Sequence, residues 1–166
     1  MYTLGISCFY HDAAAALLRD GVIVAAVEEE RFTRKKHDHG FPKHSIGYCL
    51  LEAGITMGMV DQIIFHEKPF VKFERIIQTF LGTWPLSIRP FLRAIPQWLN
   101  QKLCVSEVIK KETGYKGEVY FSEHHLSHAA SCYLLSPFEG ASILTIDGVG
   151  EWTTTMKGFG SGTDIE

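Results

Sequence analysis

Three apolar runs follow one another at the start of the chain, in the segments YTLGISC, DAAAALLRDG and VIVAAVEEERF. The pair Asp20-Gly21 separates the second run from the third. An Asp-Gly pair between two apolar runs is typical of a two-residue β-hairpin, because both residues tolerate a positive φ. The first and third runs predict strands, and the second predicts a strand or a short helix. We therefore expect the chain to open with an antiparallel meander.

Helical and strand-like segments alternate after this meander. SIGYCLLEAG predicts a helix capped by Ser45 and ended by Gly54, and VDQIIFHE predicts a strand. Residues 70–113 are mostly helical in character, with breaks expected at Pro85, Pro90 and Pro96. GEVYFSE predicts a strand, HLSHAASCYLL a helix ended by Ser136-Pro137, and ASILTIDGVG and EWTTTMKGFG two further strands. This order predicts an α/β fold with a mixed, largely buried sheet and helices on both faces.

Composition excludes several classes of protein. The chain has 166 residues, of which 46% are hydrophobic and 21% charged, so a packed domain is expected rather than disorder. A net charge of -3 gives no general attraction to nucleic acid. No leader and no uncharged run long enough for a membrane span is recognised, and we expect a cytoplasmic protein. The four scattered cysteines contain no C-x-x-C pair and are expected to be buried thiols.

Charge is distributed unevenly along the chain. Residues 68–116 hold nine basic and three acidic side chains, whereas residues 117–166 hold one basic and seven acidic. One interpretation is solvated helix faces, and the other is a basic wall for an anionic ligand that faces a carboxylate-rich metal site. The aromatic segment around Trp84 and Trp98 has three interpretations: it packs in the core, it lines a substrate pocket, or it contacts a membrane surface.

Three of the eight histidines lie within five positions of the segment EHHLSHAASCY. On a helix, His124 and His128 share a face with Cβ atoms ~5–6 Å apart, which lets two imidazoles bind one metal ion. His125 points away and is not predicted to be a ligand. Asp147 ends the next strand beside a glycine-rich turn, and two imidazoles with one carboxylate suit Fe(II), Mn(II) or Zn better than Mg or Ca. The alternative is a helix N-terminus with a hydrogen-bonded core histidine.

Three segments carry a resemblance to a known family. GISCFYHDAAAALLRDGVIVAAVEEERFTRKKHDHGFP, EHHLSHAASCY and TIDGVGEW, in this order, resemble the carbamoyltransferases of the nodulation and antibiotic-tailoring type. The resemblance implies an actin-like (ribonuclease H-like) domain, related to the tRNA threonylcarbamoyl-modification enzyme. Residues 1–138 would form its first lobe, and residues 139–166 would begin an incomplete second lobe. Two similar strand–turn–strand segments, GISCFYHDAAAALL and LTIDGVGEWTTTM, are a weak internal echo compatible with that fold.

The resemblance also implies an activity. Enzymes of this family make carbamoyl adenylate from carbamoyl phosphate and ATP in a C-terminal domain, then transfer the carbamoyl group to a hydroxyl of a small-molecule acceptor, here expected to contain a sugar. An iron-type metal grips the nucleotide phosphate. By resemblance, His124, His128 and Asp147 are the metal ligands, His11 is the catalytic histidine and Lys36 contacts carbamoyl adenylate. A histidine with a pKa near ~6.5 suits removal of a hydroxyl proton.

The chain departs from the family pattern in length. It stops after the first hairpin of the second lobe, without the adenylate-forming domain or a later aspartate for the metal. We therefore expect a fragment, a truncated product or a subunit that needs a partner, inactive alone, whose open sheet edge is covered by a neighbour or by self-association. Two other hypotheses are a non-catalytic nucleotide-binding module of the same fold and an actin-like kinase or zinc-dependent hydrolase.

Overall fold

A computed structural model describes residues 1–166, apart from the side chains of Gln97, Asn100 and Gln101. Contacts divide the chain into two compact units, of which one comprises residues 1–66 and 104–121 and the other residues 67–103 and 122–166. The expected boundary between lobes after residue 138 stays a prediction. Among the described residues, no helix combines the length and apolar character that crossing a bilayer requires.

The first unit contains a five-stranded mixed sheet with the order β3-β2-β1-β4-β5. Its strands are β1 (Tyr2–Ser7), β2 (Ala14–Arg19), β3 (Val22–Glu28), β4 (Gln62–Phe65) and β5 (Val119–Phe121). The first three pair antiparallel, and β4 and β5 extend the sheet in parallel. The predicted meander is therefore confirmed, and the second apolar run is a strand rather than a helix.

The turn between β2 and β3 has the expected backbone. Asp20 has a φ of 53° and Gly21 a φ of 81°. Two positive φ values give the turn a twist that matches the flanking strands, which explains the preference for Asp-Gly at this point. The local sequence thus sets the pairing of the two strands.

Helices α1 (Glu30–Thr33), α2 (Lys43–Ala53) and α5 (Val105–Thr113) belong to the same unit, with a 3₁₀ turn at Met57–Met59. Its core combines side chains from the sheet with side chains from α2 and α5, among them Leu4, Ile6, Leu17, Ile46, Cys49, Ile63 and Ile109. Gly54 ends α2 in the left-handed conformation with a φ of 64°, as predicted.

The predicted capping role of Ser45 is wrong. Helix α2 begins at Lys43, so Ser45 lies within its first turn, where it is fully buried. The carboxylate of Glu29 takes the capping role: it accepts hydrogen bonds from the backbone N–H groups of His44 (3.1 Å) and Ser45 (2.8 Å) and from the Ser45 hydroxyl. Burial raises the pKa of Glu29, but these hydrogen bonds outweigh it, and the net pKa lies below its ordinary value.

The second unit contains α3 (Pro69–Gly82), α4 (Ile88–Gln97), a π-helical segment (Trp98–Lys102), α6 (His124–Tyr133) and the strands β6 (Gly140–Ile146), β7 (Thr155–Ser161) and β8 (Asp164–Ile165). The strands form an antiparallel sheet in chain order. A small core forms where Ala129 and Tyr133 of α6 meet Ile143 of β6. The predicted helix and the two predicted strands are confirmed, although α6 ends at Tyr133, before the Ser136-Pro137 pair.

Only one of the three predicted proline breaks in this region is observed. Helix α3 ends at Gly82 and α4 begins at Ile88, so the chain does leave the helix around Pro85. The predicted breaks at Pro90 and Pro96 are wrong. Pro90 lies in the first turn of α4, where its missing N–H is not needed. Pro96 lies in the last turn of α4, and the chain continues in the π-helical segment.

The burial of the cysteines and of the two tryptophans differs from residue to residue. Cys8 and Cys49 are buried as predicted, but Cys104 and Cys132 are exposed, so the expectation of four buried thiols is wrong for these two. Trp98 is 5% exposed and packs on Phe73 with ring centroids 5.8 Å apart, which favours core packing there. Trp84 is 59% exposed.

Candidate metal centre and active site

Helix α6 brings two histidine rings together. The chain is extended at Glu123 and becomes helical at His124, so His124 and His128 are separated by one turn of the helix. Their ring centroids are 4.7 Å apart, and the two Nε2 atoms lie 3.2 Å from each other. His124 is 7% exposed, whereas His128 lies at the surface. The predicted pairing of these two imidazoles is present in the structure.

Asp147 joins this pair from the turn that follows β6. Its backbone N–H donates to the carbonyl oxygen of Thr154 (2.8 Å), which closes the turn, and its Oδ2 atom lies 2.7 Å from Nε2 of His124. Burial raises the pKa of Asp147. Hydrogen bonds from His124 and from the backbone N–H groups of Gly148 and Val149 lower it by more, so the net pKa lies below its ordinary value. The carboxylate is therefore ionised at neutral pH.

The donor atoms of this trio fit a metal ion. One nitrogen of His124, one nitrogen of His128 and one oxygen of Asp147 all lie within 4.8 Å of one another. Nε2 of His124 is close to both other donors, and a single proton on that atom can be directed at only one of them. A cation between the three would interact with all of them. Two imidazoles and a carboxylate are a donor set suited to Fe(II), Mn(II) or Zn.

His125 has a different task from its two neighbours. It is 5% exposed, its Nδ1 lies 2.7 Å from the hydroxyl of Thr145, and its Nε2 lies 2.7 Å from the carbonyl oxygen of Thr153. Since a carbonyl oxygen only accepts, Nε2 donates a hydrogen bond to Thr153; when the ring is neutral, Nδ1 accepts from the Thr145 hydroxyl. The ring therefore links α6 to the β6–β7 hairpin through both of its nitrogens.

The glycine-rich turn after Asp147 is held by Arg75 of α3 and by Lys68, the residue that precedes α3. Nη1 of Arg75 donates to the carbonyl oxygen of Gly150 (2.6 Å), and the backbone N–H of Lys68 donates to Oε1 of Glu151 (2.5 Å). A Cβ atom at Gly150 would lie 1.9 Å from the carbonyl oxygen of Thr153, so only glycine fits there. These contacts fix the backbone that carries Asp147.

Sequence reasoning missed a buried ion pair beside His124. Glu67 is 5% exposed and Lys72 is 3% exposed, and Nζ of Lys72 lies 2.5 Å from Oε2 of Glu67. The same oxygen is 3.7 Å from Nδ1 of His124. The available signal was weak: Glu67 lies two residues after the end of β4, and Lys72 lies five residues later in a helix rich in apolar residues.

His11 and Asp12 lie in the turn between β1 and β2, in the first unit. Nδ1 of His11 is 2.8 Å from Oδ2 of Asp12, and Nδ1 of His37 is 2.9 Å from Oδ1 of the same carboxylate. The hydrogen bond from His37, and then that from His11, lower the pKa of Asp12. The carboxylate thus orients two rings. One oxygen of Glu30 lies near Asp12 and His37, and the three donors lie within 4.8 Å of one another.

Lys36 lies beside His37 in an exposed loop that contacts the His11 turn through its backbone. The N–H of Phe9 donates to the carbonyl oxygen of His39 (2.8 Å), and the N–H of Ala13 donates to that of Asp38 (2.6 Å). These hydrogen bonds bracket His11 on both sides. The structure therefore brings the predicted catalytic histidine and the predicted adenylate-binding lysine into neighbouring loops.

The internal echo in the sequence corresponds to two hairpins. Strands β1 and β2 pair antiparallel around the His11 turn, and β6 and β7 pair antiparallel around the Asp147 turn. Each hairpin therefore carries one of the predicted site residues in its connecting turn.

The chain is similar to several proteins over 79–99% of its length. It is 51% identical over 172 residues to an uncharacterized protein of Synechocystis, with 99% of the chain and 28% of that protein covered. It is 38% identical over 161 residues to the nodulation protein NolNO of Sinorhizobium fredii (95% and 22% covered), and 28% identical over 134 residues to nodulation protein U of Rhizobium tropici (79% and 23%). The chain thus spans between 22% and 28% of the length of these relatives. Residues 2–165 match the family described as the carbamoyltransferase N-terminus, and the chain belongs to that family.

Proposed function

We propose that the chain is the N-terminal part of an O-carbamoyltransferase. The donor is carbamoyl adenylate, made from carbamoyl phosphate and ATP by a further domain, and the acceptor is a hydroxyl of a small molecule that contains a sugar. The observation that carries the proposal is the convergence of His124, His128 and Asp147 within 4.8 Å in a chain of the carbamoyltransferase N-terminus family. In this proposal the two hairpins belong to an actin-like fold, and the enzyme acts in the cytoplasm without nucleic acid.

The three converging side chains hold a divalent metal, with Fe(II) as the expected ion. Such an ion supplies positive charge that offsets the phosphate charge of the bound nucleotide. Asp147 brings the one formal negative charge of the trio, and the two imidazoles add neutral nitrogen donors. The turn after Asp147, fixed by Arg75 and Lys68, keeps that carboxylate in place.

His11 acts as the general base in the transfer step. The hydroxyl oxygen of the acceptor attacks the carbamoyl carbon, the hydroxyl proton moves to His11, and the bond to the phosphate oxygen breaks, so AMP leaves with its electron pair. Because Nδ1 of His11 is engaged by Asp12 (2.8 Å), Nε2 is the nitrogen available for this proton. Asp12 therefore sets the tautomer, as the carboxylate does in hydrolase triads.

Lys36 contributes a cation near the adenylate. Its side chain is exposed, and its loop is tied to the His11 turn by backbone hydrogen bonds. A lysine in this position attracts the phosphate of carbamoyl adenylate as a point charge. Because the two loops are joined, His11 can act on the acceptor hydroxyl while Lys36 acts on the phosphate of the same donor molecule.

The test is the reaction of the full-length protein with ATP, carbamoyl phosphate and a panel of sugar-containing acceptors. We expect release of AMP and pyrophosphate and formation of an O-carbamoyl product by mass spectrometry. Phosphorylation of the acceptor would contradict the proposal and identify a kinase. Hydrolysis of an ester or phosphate would instead identify a metal-dependent hydrolase. Nucleotide binding with no turnover of any acceptor would favour a non-catalytic module.

A further inference from the structure

The buried pair Glu67–Lys72 points to a function beyond stability. Glutamate and lysine are almost never fully buried unless they are paired, and here the side chains are 7% and 4% exposed. A buried ion pair is a weak stabiliser, because the cost of removing two charges from water offsets most of their attraction. Apolar residues of similar volume would serve the packing equally well. The pair therefore requires a reason connected with its surroundings.

The surroundings contain a candidate metal ligand. Oε2 of Glu67, the oxygen that binds Lys72, lies 3.7 Å from Nδ1 of His124. The other ring nitrogen, Nε2, faces Asp147 and His128 at 2.7 and 3.2 Å. Glu67 is therefore on the opposite side of the ring from the candidate metal site. At 3.7 Å this contact is electrostatic rather than a hydrogen bond.

We infer that Glu67 and Lys72 are positioning residues for His124, an inference that rests on the proposed metal site. The negative charge of Glu67 favours a proton on Nδ1, which leaves the lone pair of Nε2 directed at the metal. Carboxylates placed behind ligand histidines fix ring orientation and raise ligand basicity, and their loss lowers metal affinity by about 10–100-fold. Lys72 holds the carboxylate in place through the 2.5 Å contact between its Nζ and Oε2 of Glu67.

A second lysine, Lys102, also interacts with the charge of Glu67. Burial, and then the positive charge of Lys72, lower the pKa of Lys102, whereas Glu67 raises it. The negative charge of Glu67 therefore acts on both Lys72 and Lys102. Replacing Glu67 alone removes the carboxylate that binds the buried Lys72, so that variant is at risk of misfolding. The test therefore includes a second variant in which both charges of the pair are removed.

The experiment measures Co(II) binding to the metal-free full-length protein, using the visible absorption of the bound ion, for five variants. His124→Ala removes the proposed ligand, and Glu67→Gln removes only the charge behind it. Glu67→Gln combined with Lys72→Met removes both members of the pair. The control is Glu74→Gln, an exposed carboxylate in the same helix α3, which accepts a hydrogen bond from Gln78 (3.1 Å). Lys72→Met completes the set, and thermal unfolding of each variant is recorded beside it.

We expect His124→Ala to abolish Co(II) binding, and Glu67→Gln and the double variant to weaken it by about 10–100-fold. Glu74→Gln should bind as the wild type does. Wild-type affinity in the double variant, with binding lost in His124→Ala, would overturn the positioning role and leave the metal site intact. Undiminished binding in His124→Ala would overturn the metal site and this inference with it. A lower unfolding temperature with unchanged Co(II) affinity would show that the pair is structural only.

Discussion

Nε2 of His124 lies 2.7 Å from Oδ2 of Asp147, although 23 residues separate them in the chain. One atom is supplied by the first turn of α6 and the other by the turn that follows β6. Packing of α6 on the β6–β7 hairpin is what makes the two meet. This relationship is the one on which the proposed metal site depends.

Asp147→Asn tests that relationship with little change in shape. The amide keeps an oxygen in place but loses the negative charge, so we expect reduced metal content and a loss of carbamoyl transfer, while adenylate formation in the other domain continues. Metal content is measured by elemental analysis of the purified full-length protein. Asp164→Asn, an exposed carboxylate in β8, is the control. A full complement of metal in Asp147→Asn would remove this carboxylate from the site.

His11→Asn tests the general base. We expect carbamoyl transfer to slow by about 10²–10⁴, the usual contribution of a general base, with metal content unchanged. The measurement is the rate of product formation at saturating donor and acceptor. His39→Asn, an exposed histidine in the neighbouring loop, should retain the wild-type rate. A normal rate in His11→Asn would show that this histidine is a turn residue only.

Gly150→Ala tests the turn that carries Asp147. A methyl group at position 150 would lie 1.9 Å from the carbonyl oxygen of Thr153, so the backbone must move, at a cost of about 1–3 kcal/mol. We expect lower thermal stability and lower metal content. Gly148→Ala is a matched control, because a Cβ at that position meets no atom within 4 Å. Equal behaviour of the two variants would contradict the close fit at Gly150.

Glu29→Gln tests the cap of helix α2. At neutral pH the variant should lose about 1–3 kcal/mol of local stability, because the hydrogen bonds from His44 and Ser45 lose a charged acceptor. Hydrogen exchange of the α2 amides in the full-length protein measures this loss, with the exposed Glu118→Gln as control.

The effect of Glu29 should depend on pH in a definite direction. Its pKa is lowered in the folded chain, so its contribution is complete above the unfolded pKa of about 4.3 and is lost as pH falls through the folded pKa. The difference between wild type and Glu29→Gln should therefore be constant near pH 7 and shrink in acid. A difference that grows in acid would contradict the assigned role.

Features with a local signature were predictable from the sequence. The Asp20-Gly21 turn, the alternating strands and the spacing of His124 and His128 each follow from backbone or helix geometry over a few residues. The arrival of Asp147 beside His124 was predicted from chemistry and family resemblance, since nothing local specifies it. The five strands and helix α2 of the first unit were likewise predicted in the correct order, but α1 (Glu30–Thr33) lies where the third strand was expected to continue.

Features that depend on distant partners were not predictable. Glu29 caps a helix that begins 14 residues later in sequence, and that role displaces Ser45 from the expected position. Glu67 and Lys72 look like surface charges until packing buries them together. Pro96 lies in the last turn of α4, and the chain continues from there in a π-helical segment, which no pattern in the local sequence predicts.

The two contacts of His125 with the β6–β7 hairpin have a consequence for the candidate ligands on the same helix. Both ring nitrogens of His125 contact threonines of the β6–β7 hairpin, so this side chain helps to set the rotation of α6 about its own axis, together with the packing of Ala129 and Tyr133 on Ile143. The direction in which His124 and His128 project therefore depends in part on a histidine outside the proposed ligand set. We expect a replacement at position 125 to remove both of these contacts and to alter the positions of both candidate ligands.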